Sequence, residues 1–220
     1  MTTRITLIHA VPMAIAPVAQ AIALLWPEAR PMNLMDDALS PDRETHDDLQ
    51  PELAMRIAAL ADYAISAGTR GILYTCSAFG PAIEAVKRRL AVPVLTPNEA
   101  MFAEALQLGS RIGMVATFAP SVPSMQQEFT ALALTLGSDA KLEVRLADGA
   151  MAALRSGDGD RHHELVAAAS ATLSHCDAIM LAHFSTSAAF AAVGTRVSCP
   201  VLTSPRSAVR ALREQLQDRA

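Results

Sequence analysis

Several residue patterns that mark common classes of protein are missing from this 220-residue sequence. It has three cysteines, and no pair of them shows CxxC or another zinc-ligand spacing, which argues against both a disulfide framework and a zinc site. No apolar run approaches the roughly 18 uninterrupted residues of a membrane span, and the first residues lack the basic-then-apolar order of a signal peptide. We therefore expect a cytoplasmic protein with free thiols, no bound metal and no membrane contact.

An excess of basic residues and the common glycine fingerprints are also missing. The chain has 18 Lys and Arg residues against 22 Asp and Glu, a net charge of -4 at pH 7, and no basic patch interleaved with aromatic residues. It contains no GxGxxG or GxxxxGKS/T fingerprint for a nucleotide and no GxSxG nucleophile elbow. We expect neither a nucleic-acid partner nor a cofactor.

Apolar residues, by contrast, make up 51% of the chain, enough for a large core, and they fall into an alternating pattern. Buried strands are predicted at Arg4–Val11, Met32–Met35, Ile72–Tyr74 and Val92–Thr96. Helices are predicted at Pro17–Trp26, Pro51–Ala67 and Gly80–Leu90. A fourth helix is predicted to be capped by Asn98 and to run to Leu108. Strands that alternate with helices indicate an α/β fold with parallel sheets and right-handed crossovers.

The second half of the chain repeats parts of the first at one constant offset. The dipeptide Arg4-Ile5 recurs 107 residues later, and the tetrapeptide Pro93–Thr96 recurs at the same distance of 107. Chance would seldom keep separated segments in one register. We therefore infer two similar flavodoxin-like or Rossmann-like halves with parallel sheets, related by an internal pseudo-twofold repeat.

The two halves are predicted to span residues 1–108 and 109–204, with the C-terminal helix 205–220 completing the first. Ligands of open parallel sheets bind outside the carboxyl ends of the strands. We expect the halves to face each other, so that two such ends meet at one cleft. The offset of 107 makes His183 the counterpart of Cys76.

Cys76 lies in a Thr-Cys-Ser triplet between a predicted strand and a helix that begins at Gly80 and Pro81. A helix N-terminus lowers the pKa of a thiol, so we expect Cys76 to share thiol and thiolate forms near neutral pH, which suits proton transfer to or from carbon. His183, with an ordinary pKa near 6.5, is the candidate acid or base on the opposite face. The alternatives are that Cys76 is a small buried hydrophobe and that His183 fills the space of a lost cysteine.

Hydroxyl-bearing and amide side chains follow the ends of the same predicted strands. Together with backbone N–H groups and helix N-termini they would hold a small anion. The predicted substrate-binding residues are Thr75, Ser77, His9, Asn98, Thr117, Ser121 and Ser185. For His9 the alternative is a strand-end histidine that is hydrogen-bonded within the protein.

The remaining reactive or apolar residues have simpler interpretations. Cys176 and Cys199 fall at strand starts and are interpreted as structural. We expect solvent exposure for the pairs Asp36-Asp37 and His162-His163, and for the apolar residues Leu24, Leu25 and Trp26. An exposed apolar helix face favours a homodimer or a higher homo-oligomer.

These motifs together resemble the cofactor-independent aspartate/glutamate racemase superfamily, which includes hydantoin racemases, maleate isomerases and arylmalonate decarboxylases. The resemblance covers nearly the whole chain and rests on the duplicated halves, the Thr75-Cys76-Ser77 motif, the Pro-Val-Leu-Thr pair and the segment Met114–Pro120. It implies a thiol from each half, acting on opposite faces of a carbon next to a carboxylate or carbonyl. Cys76 matches the first thiol position, and His183 at the second departs from the family's pattern.

The leading prediction is a PLP-independent racemase, epimerase or isomerase that moves a proton at such a carbon, with Cys76 and His183 as catalytic residues and a small carboxylate or carbonyl compound as substrate. The alternative is a decarboxylase of a malonate-type acid, with Cys76 as its single proton donor. The resemblance implies that decarboxylases of the superfamily keep their one cysteine in the second half, whereas this chain has it in the first. A second alternative is a non-catalytic protein that binds small carboxylates.

Overall fold

The computed structural model describes residues 3–46 and 48–218, and within them the strands form two four-stranded parallel sheets. The first sheet has the order β2-β1-β3-β4 and the second has the order β6-β5-β7-β8. The strands of the first sheet are β1 (Arg4–His9), β2 (Arg30–Met35), β3 (Gly71–Tyr74) and β4 (Val94–Leu95). Those of the second are β5 (Arg111–Ala116), β6 (Lys141–Leu146), β7 (Ala178–Leu181) and β8 (Val201–Thr203).

Helices connect successive strands, as parallel pairing requires. Those between the strands of the first sheet are α1 (Ile15–Leu25), α2 (Leu39–Glu44), α3 (Pro51–Ser66) and α4 (Gly80–Arg89). Helix α5 (Glu99–Leu108) leads to the second sheet, where α6 (Val122–Thr135), α7 (Ala150–Arg155), α8 (Gly159–Ala171) and α9 (Phe190–Gly194) follow. Helix α10 (Ser204–Gln217) ends the described chain. None of the helices in the described ranges is long and apolar enough to cross a bilayer.

The two sheets share their strand order and much of their register. Ile5 pairs with Gly71 between β1 and β3, and the residues 107 positions later, Ile112 and Ala178, pair between β5 and β7. The second strands of the two halves, β2 and β6, do not keep the offset of 107, because β6 begins 111 residues after β2. The predicted α/β fold with two similar parallel-sheet halves is confirmed.

The described residues group into two compact units by their contacts. One unit contains the chain up to Pro97 and again from Ala208 onward, and the other is Asn98–Ser207. Helix α5 therefore belongs to the second unit, and α10 starts in the second and continues in the first. The predicted boundaries, 1–108 with the C-terminal helix and 109–204, stay a prediction about the folding domains.

The core of the first unit follows from helical and strand periodicity. Strand β3 is buried along its whole length, as expected for a central parallel strand. Helix α3 buries Leu53, Ile57, Ala61 and Ala64 on one face against it. The Tyr74 hydroxyl donates a 2.9 Å hydrogen bond to the carbonyl oxygen of Ile57, so β3 and α3 are joined immediately before Cys76.

Two expectations of solvent exposure are wrong. His162 is fully buried, and its Nδ1 lies 3.0 Å from the carbonyl oxygen of Ala150. Trp26 is also buried, which removes it from the apolar face proposed for an oligomer. Asp36 lies in a loop, but its carboxylate accepts a hydrogen bond from Arg56 Nε at 2.8 Å. Sequence periodicity did not reveal these tertiary partners.

Candidate active site

Cys76 lies just beyond β3, at the carboxyl edge of the first sheet. It has an extended backbone (φ -123°, ψ 123°) and precedes the short 3-10 turn Ser77–Phe79, after which α4 begins at Gly80. The side chain is half-buried, and the backbone N–H of Ala78 points toward its sulfur. Cys76 therefore stands where a parallel sheet presents its ligand-binding groups.

Burial raises the pKa of Cys76, and the hydrogen bond from the Ala78 N–H opposes that shift only in part. The expectation that the nearby helix start would lower this pKa is wrong, because desolvation of the thiolate outweighs the donor. Cys76 therefore carries its proton at neutral pH. In this state it is suited to donate a proton to carbon.

His9, at the end of β1, is fully buried and has both ring nitrogens occupied. Its Nδ1 lies 2.9 Å from the Thr75 hydroxyl, and its Nε2 lies 3.0 Å from Asn33 Oδ1. Because that amide oxygen only accepts, Nε2 carries the ring proton. Burial lowers the pKa of His9, and the bond to Asn33 raises it by less. The neutral ring thus holds Thr75 beside Cys76, while substrate contacts of His9 and Thr75 stay predictions.

His183 follows β7 in the second unit with an unusual backbone conformation. Its φ of 70° is in the left-handed region, and no other non-glycine residue in the described part of the chain has a positive φ. Such backbones concentrate at functional sites, although asparagine, aspartate and histidine adopt them more readily than most residues. The conformation turns the chain sharply between β7 and the 3-10 turn Ser185–Ala189.

Ser121 fixes one nitrogen of the His183 ring. The Ser121 Oγ donates to the carbonyl oxygen of Phe118 at 2.8 Å and lies 2.8 Å from His183 Nε2. In the tautomer in which this hydroxyl donates its proton to Phe118, the His183 ring proton lies on Nε2. The His183 Nδ1 is then an unprotonated acceptor, and it is buried without a hydrogen-bond partner among residues 3–46 and 48–218.

Burial lowers the pKa of His183 to about 4, and the adjacent Ala182 carbonyl counteracts this shift only in part. The imidazole is therefore neutral at pH 7. A buried nitrogen with a lone pair and no partner is unfavourable unless a ligand supplies a proton donor. At neutral pH, His183 can therefore accept a proton, whereas Cys76 can donate one.

The other predicted binding residues are distributed over both units. Ser77 is half-buried beside Cys76, and Ser185 is half-buried two residues after His183. Thr117 is buried after β5 and lies 3.3 Å from the Thr186 hydroxyl. Each unit thus collects predicted site residues at the carboxyl edge of its own sheet.

Asn98 differs from its predicted role. It occupies the residue before α5, but its side chain makes no capping hydrogen bond, so the predicted cap is wrong. Its Oδ1 instead accepts a 3.1 Å bond from Ser204, and its Nδ2 is buried without a partner in the described ranges. Substrate contact by this amide stays a prediction.

A family model described as Asp/Glu/Hydantoin racemase matches residues 13–174. The chain belongs to this family. The match includes Cys76 and Ser121, and it ends before His183. No curated protein sequence matches the chain.

Solved structures of racemases have the same fold. Allantoin racemase from Klebsiella pneumoniae superimposes with a TM-score of 0.77 at 20% identity, over 98% of this chain and 88% of that one. Glutamate racemase from Bacillus anthracis superimposes with a TM-score of 0.76 at 13% identity, over 99% of this chain and 83% of that one. A mutant of arylmalonate decarboxylase in a sulfate-associated form superimposes with a TM-score of 0.65 at 18% identity, over 99% of this chain and 94% of that one.

Membership of the Asp/Glu/hydantoin racemase family confirms both the predicted resemblance and the predicted enzyme class, a racemase-type isomerase. Three residues that hydrogen-bond to predicted site residues of their own unit were not identified from the sequence. They are Asn33, which holds His9, and Phe118 and Thr186, which bond Ser121 and Thr117. Asn33 is exposed on a strand and Phe118 contributes only its carbonyl oxygen, so neither gives a sequence signal.

Proposed function

We propose that this racemase-family protein inverts a stereocentre next to a carboxylate or carbonyl without a cofactor, with Cys76 and His183 as its two proton-transfer groups. The observation that supports this most strongly is their placement, since each residue follows the corresponding strand at the carboxyl edge of its own sheet. Burial raises the pKa of Cys76 and lowers that of His183 to about 4, so at neutral pH one is a protonated acid and the other is an unprotonated base. Inversion by two groups requires one of each.

In the proposed reaction, His183 Nδ1 removes the proton from the substrate carbon. The electron pair of the C–H bond moves onto the neighbouring carbonyl or carboxylate oxygen, and the carbon then takes a proton from Cys76 Sγ on its other face. The protein is left with an imidazolium and a thiolate. It returns to its resting state by proton exchange with water or by turnover of the opposite stereoisomer.

The enolate-like intermediate needs donors aimed at its oxygens. We assign this role to predicted binding residues of both units. The candidate donors are the hydroxyls of Ser77 in the first unit and of Thr117 and Ser185 in the second, with the Asn98 amide as a further one. His9, Thr75 and Ser121 use their protons within the protein, so we assign them to positioning. The bond of Ser121 to Nε2 leaves Nδ1 as the basic nitrogen of His183.

The proposed substrate is a small carboxylate or carbonyl compound with an acidic C–H bond. The family description names aspartate, glutamate and hydantoin, and structural relatives are racemases of glutamate and allantoin. A cytoplasmic location and a homodimer or higher homo-oligomer belong to the same proposal.

A panel of single stereoisomers tests this proposal. Purified protein is incubated with each stereoisomer of aspartate, glutamate, allantoin and 5-substituted hydantoins, and both stereoisomers are then quantified by chiral chromatography. We expect inversion of at least one compound by the wild type and none by Cys76→Ala. Stoichiometric ligand binding without inversion of any compound would favour a non-catalytic binding protein instead.

Decarboxylation of a malonate-type acid is the second candidate. It is favoured by the presence of a single thiol, Cys76, among the predicted site residues, since one proton donor is sufficient to complete that reaction. Release of carbon dioxide from substituted malonates distinguishes the two. A decarboxylase would retain much of this activity in His183→Ala, whereas the proposed racemase loses inversion in the same variant.

A further inference from the structure

Three side chains of the second unit bring a sulfur, a nitrogen and an oxygen donor together outside the site described above. They are Glu143 on β6, and His175 and Cys176 in the segment between α8 and β7. One ligand atom from each lies within 4.8 Å of the other two. Sequence spacing could not reveal this cluster, because Glu143 is more than 30 residues from the other two and becomes their neighbour only through the sheet.

The cluster lies away from His183. Cys176 comes two residues before the start of β7, whereas His183 comes two residues after its end. Glu143 pairs with Gly113 in the first half of β5. The cluster therefore occupies the amino-terminal part of the second sheet, and His183 occupies the carboxyl edge.

The donors are held in different ways. His175 Nε2 lies 2.9 Å from Glu143 Oε2, and Arg145 pairs with the other carboxylate oxygen. Cys176 is buried in an apolar cluster, and a Cβ at Gly113 would approach its sulfur to 3.3 Å. The Cys176 thiol is thus held in place by the core. The side chains of His175 and Glu143 reach partly into solvent, with 52% and 37% of their surfaces accessible, respectively.

We propose that Glu143, His175 and Cys176 bind a zinc ion through Oε2, Nε2 and Sγ, with water as the fourth ligand. Thiolate, imidazole and carboxylate are the donors that zinc accepts in tetrahedral sites, whereas magnesium and calcium take oxygen ligands. Donors around one zinc lie about 3–4 Å apart, so only small rotations of the two half-exposed side chains are required. On binding, the thiol proton leaves to water, and bonds to zinc replace the bond between His175 and Glu143.

Cobalt(II) is the spectroscopic probe for this site, since it takes the same ligands and reports a thiolate ligand by its charge-transfer band. The full chain is stripped with a chelator, dialysed and titrated with Co²⁺ and, in parallel, Zn²⁺. We expect one equivalent of Co²⁺ to give the thiolate band and the intense visible bands of tetrahedral cobalt. His175→Ala and Glu143→Gln should each weaken binding about tenfold or more, and Cys176→Ser should abolish the thiolate band.

Cys76→Ser is the matched control, since it removes a thiol outside the cluster and should leave the titration unchanged. His175→Ala keeps the test decisive if Cys176→Ser does not fold, because the His175 side chain is half-exposed. Zinc should also raise the melting temperature of the wild type but not that of His175→Ala. The proposal is overturned if the wild type gives no thiolate band, if the band persists in Cys176→Ser, or if His175→Ala binds as tightly as the wild type.

Discussion

His183 combines a left-handed backbone with a buried, unpaired nitrogen, two features that proteins seldom keep without a functional reason. The left-handed backbone can be tested with two variants that both lack the imidazole, His183→Asn and His183→Ala. Asparagine tolerates a positive φ and alanine does not, so we expect His183→Asn to be more stable than His183→Ala by about 1 kcal/mol. Urea unfolding measures the difference, and the reverse order would contradict the left-handed conformation.

The protonation of His183 makes stability depend on pH. Its pKa is about 4 in the folded chain against 6.5 ordinarily, so above pH 6.5 the ring is neutral in both folded and unfolded states and has no effect. Below pH 6.5 the unfolded chain binds the proton first, and the free energy of unfolding falls as the pH decreases toward about 4. Buried His9 and His162 act in the same direction, because burial also lowers their pKa values.

We therefore expect the wild type to lose stability between pH 6.5 and about 4, and His183→Asn to lose less over the same range. Urea unfolding curves at a series of pH values provide the test. Equal slopes in the two proteins would mean that His183 is not desolvated in the folded chain.

At the scale of elements, the bond between Tyr74 and Ile57 fixes β3 on α3 immediately before Cys76. Tyr74→Phe leaves the ring in place and removes the hydroxyl, so we expect a loss of about 1 kcal/mol in the free energy of unfolding. Tyr63→Phe is the matched control, because Tyr63 is 60% exposed on the same helix and its change should be near zero. Equal effects in the two variants would contradict a structural role for the Tyr74 hydroxyl.

Elements with strong apolar patterns were predictable from the sequence, whereas tertiary contacts were not. The predicted strand at Ile72–Tyr74 and helix at Pro51–Ala67 match β3 and α3 to within a residue at each end, since both bury continuous or periodic apolar residues. The strand predicted at Val92–Thr96 is shorter, reduced to Val94–Leu95. Strand β6 has no fully buried residue, so its pattern gives little signal.

The placement of Cys76 and His183 at strand ends was predictable from the sequence, whereas the pKa shifts were not, and the roles of both residues stay predictions. The constant offset of 107 identified Cys76 and His183, and both lie after corresponding strands. The direction of the Cys76 pKa shift depends on how much water the folded chain removes from the sulfur, which no local motif encodes. The burial of His162 and the approach of Glu143 to Cys176 are likewise products of the tertiary fold.

At the scale of the whole molecule, removal of metal should affect the proposed zinc site and leave the proposed active site unchanged. The proposed chemistry uses a thiol and an imidazole of the chain itself, and the proposed zinc ligands lie in the amino-terminal part of the second sheet. We expect a chelator to lower the melting temperature and to leave turnover at moderate temperature unchanged. Loss of turnover on chelation, restored by Zn²⁺, would contradict the cofactor-independent mechanism.

The most direct test of the central claim follows the substrate's α-hydrogen in deuterated water. A compound inverted by the wild type is incubated with wild type, Cys76→Ala and a control, Cys199→Ala, and deuterium is measured in both stereoisomers by mass spectrometry. We predict one deuteron per inversion in the wild type and the control, and a loss of about a hundredfold or more in Cys76→Ala. Unchanged exchange and inversion in folded Cys76→Ala would contradict the assignment of Cys76 as a proton-transfer residue.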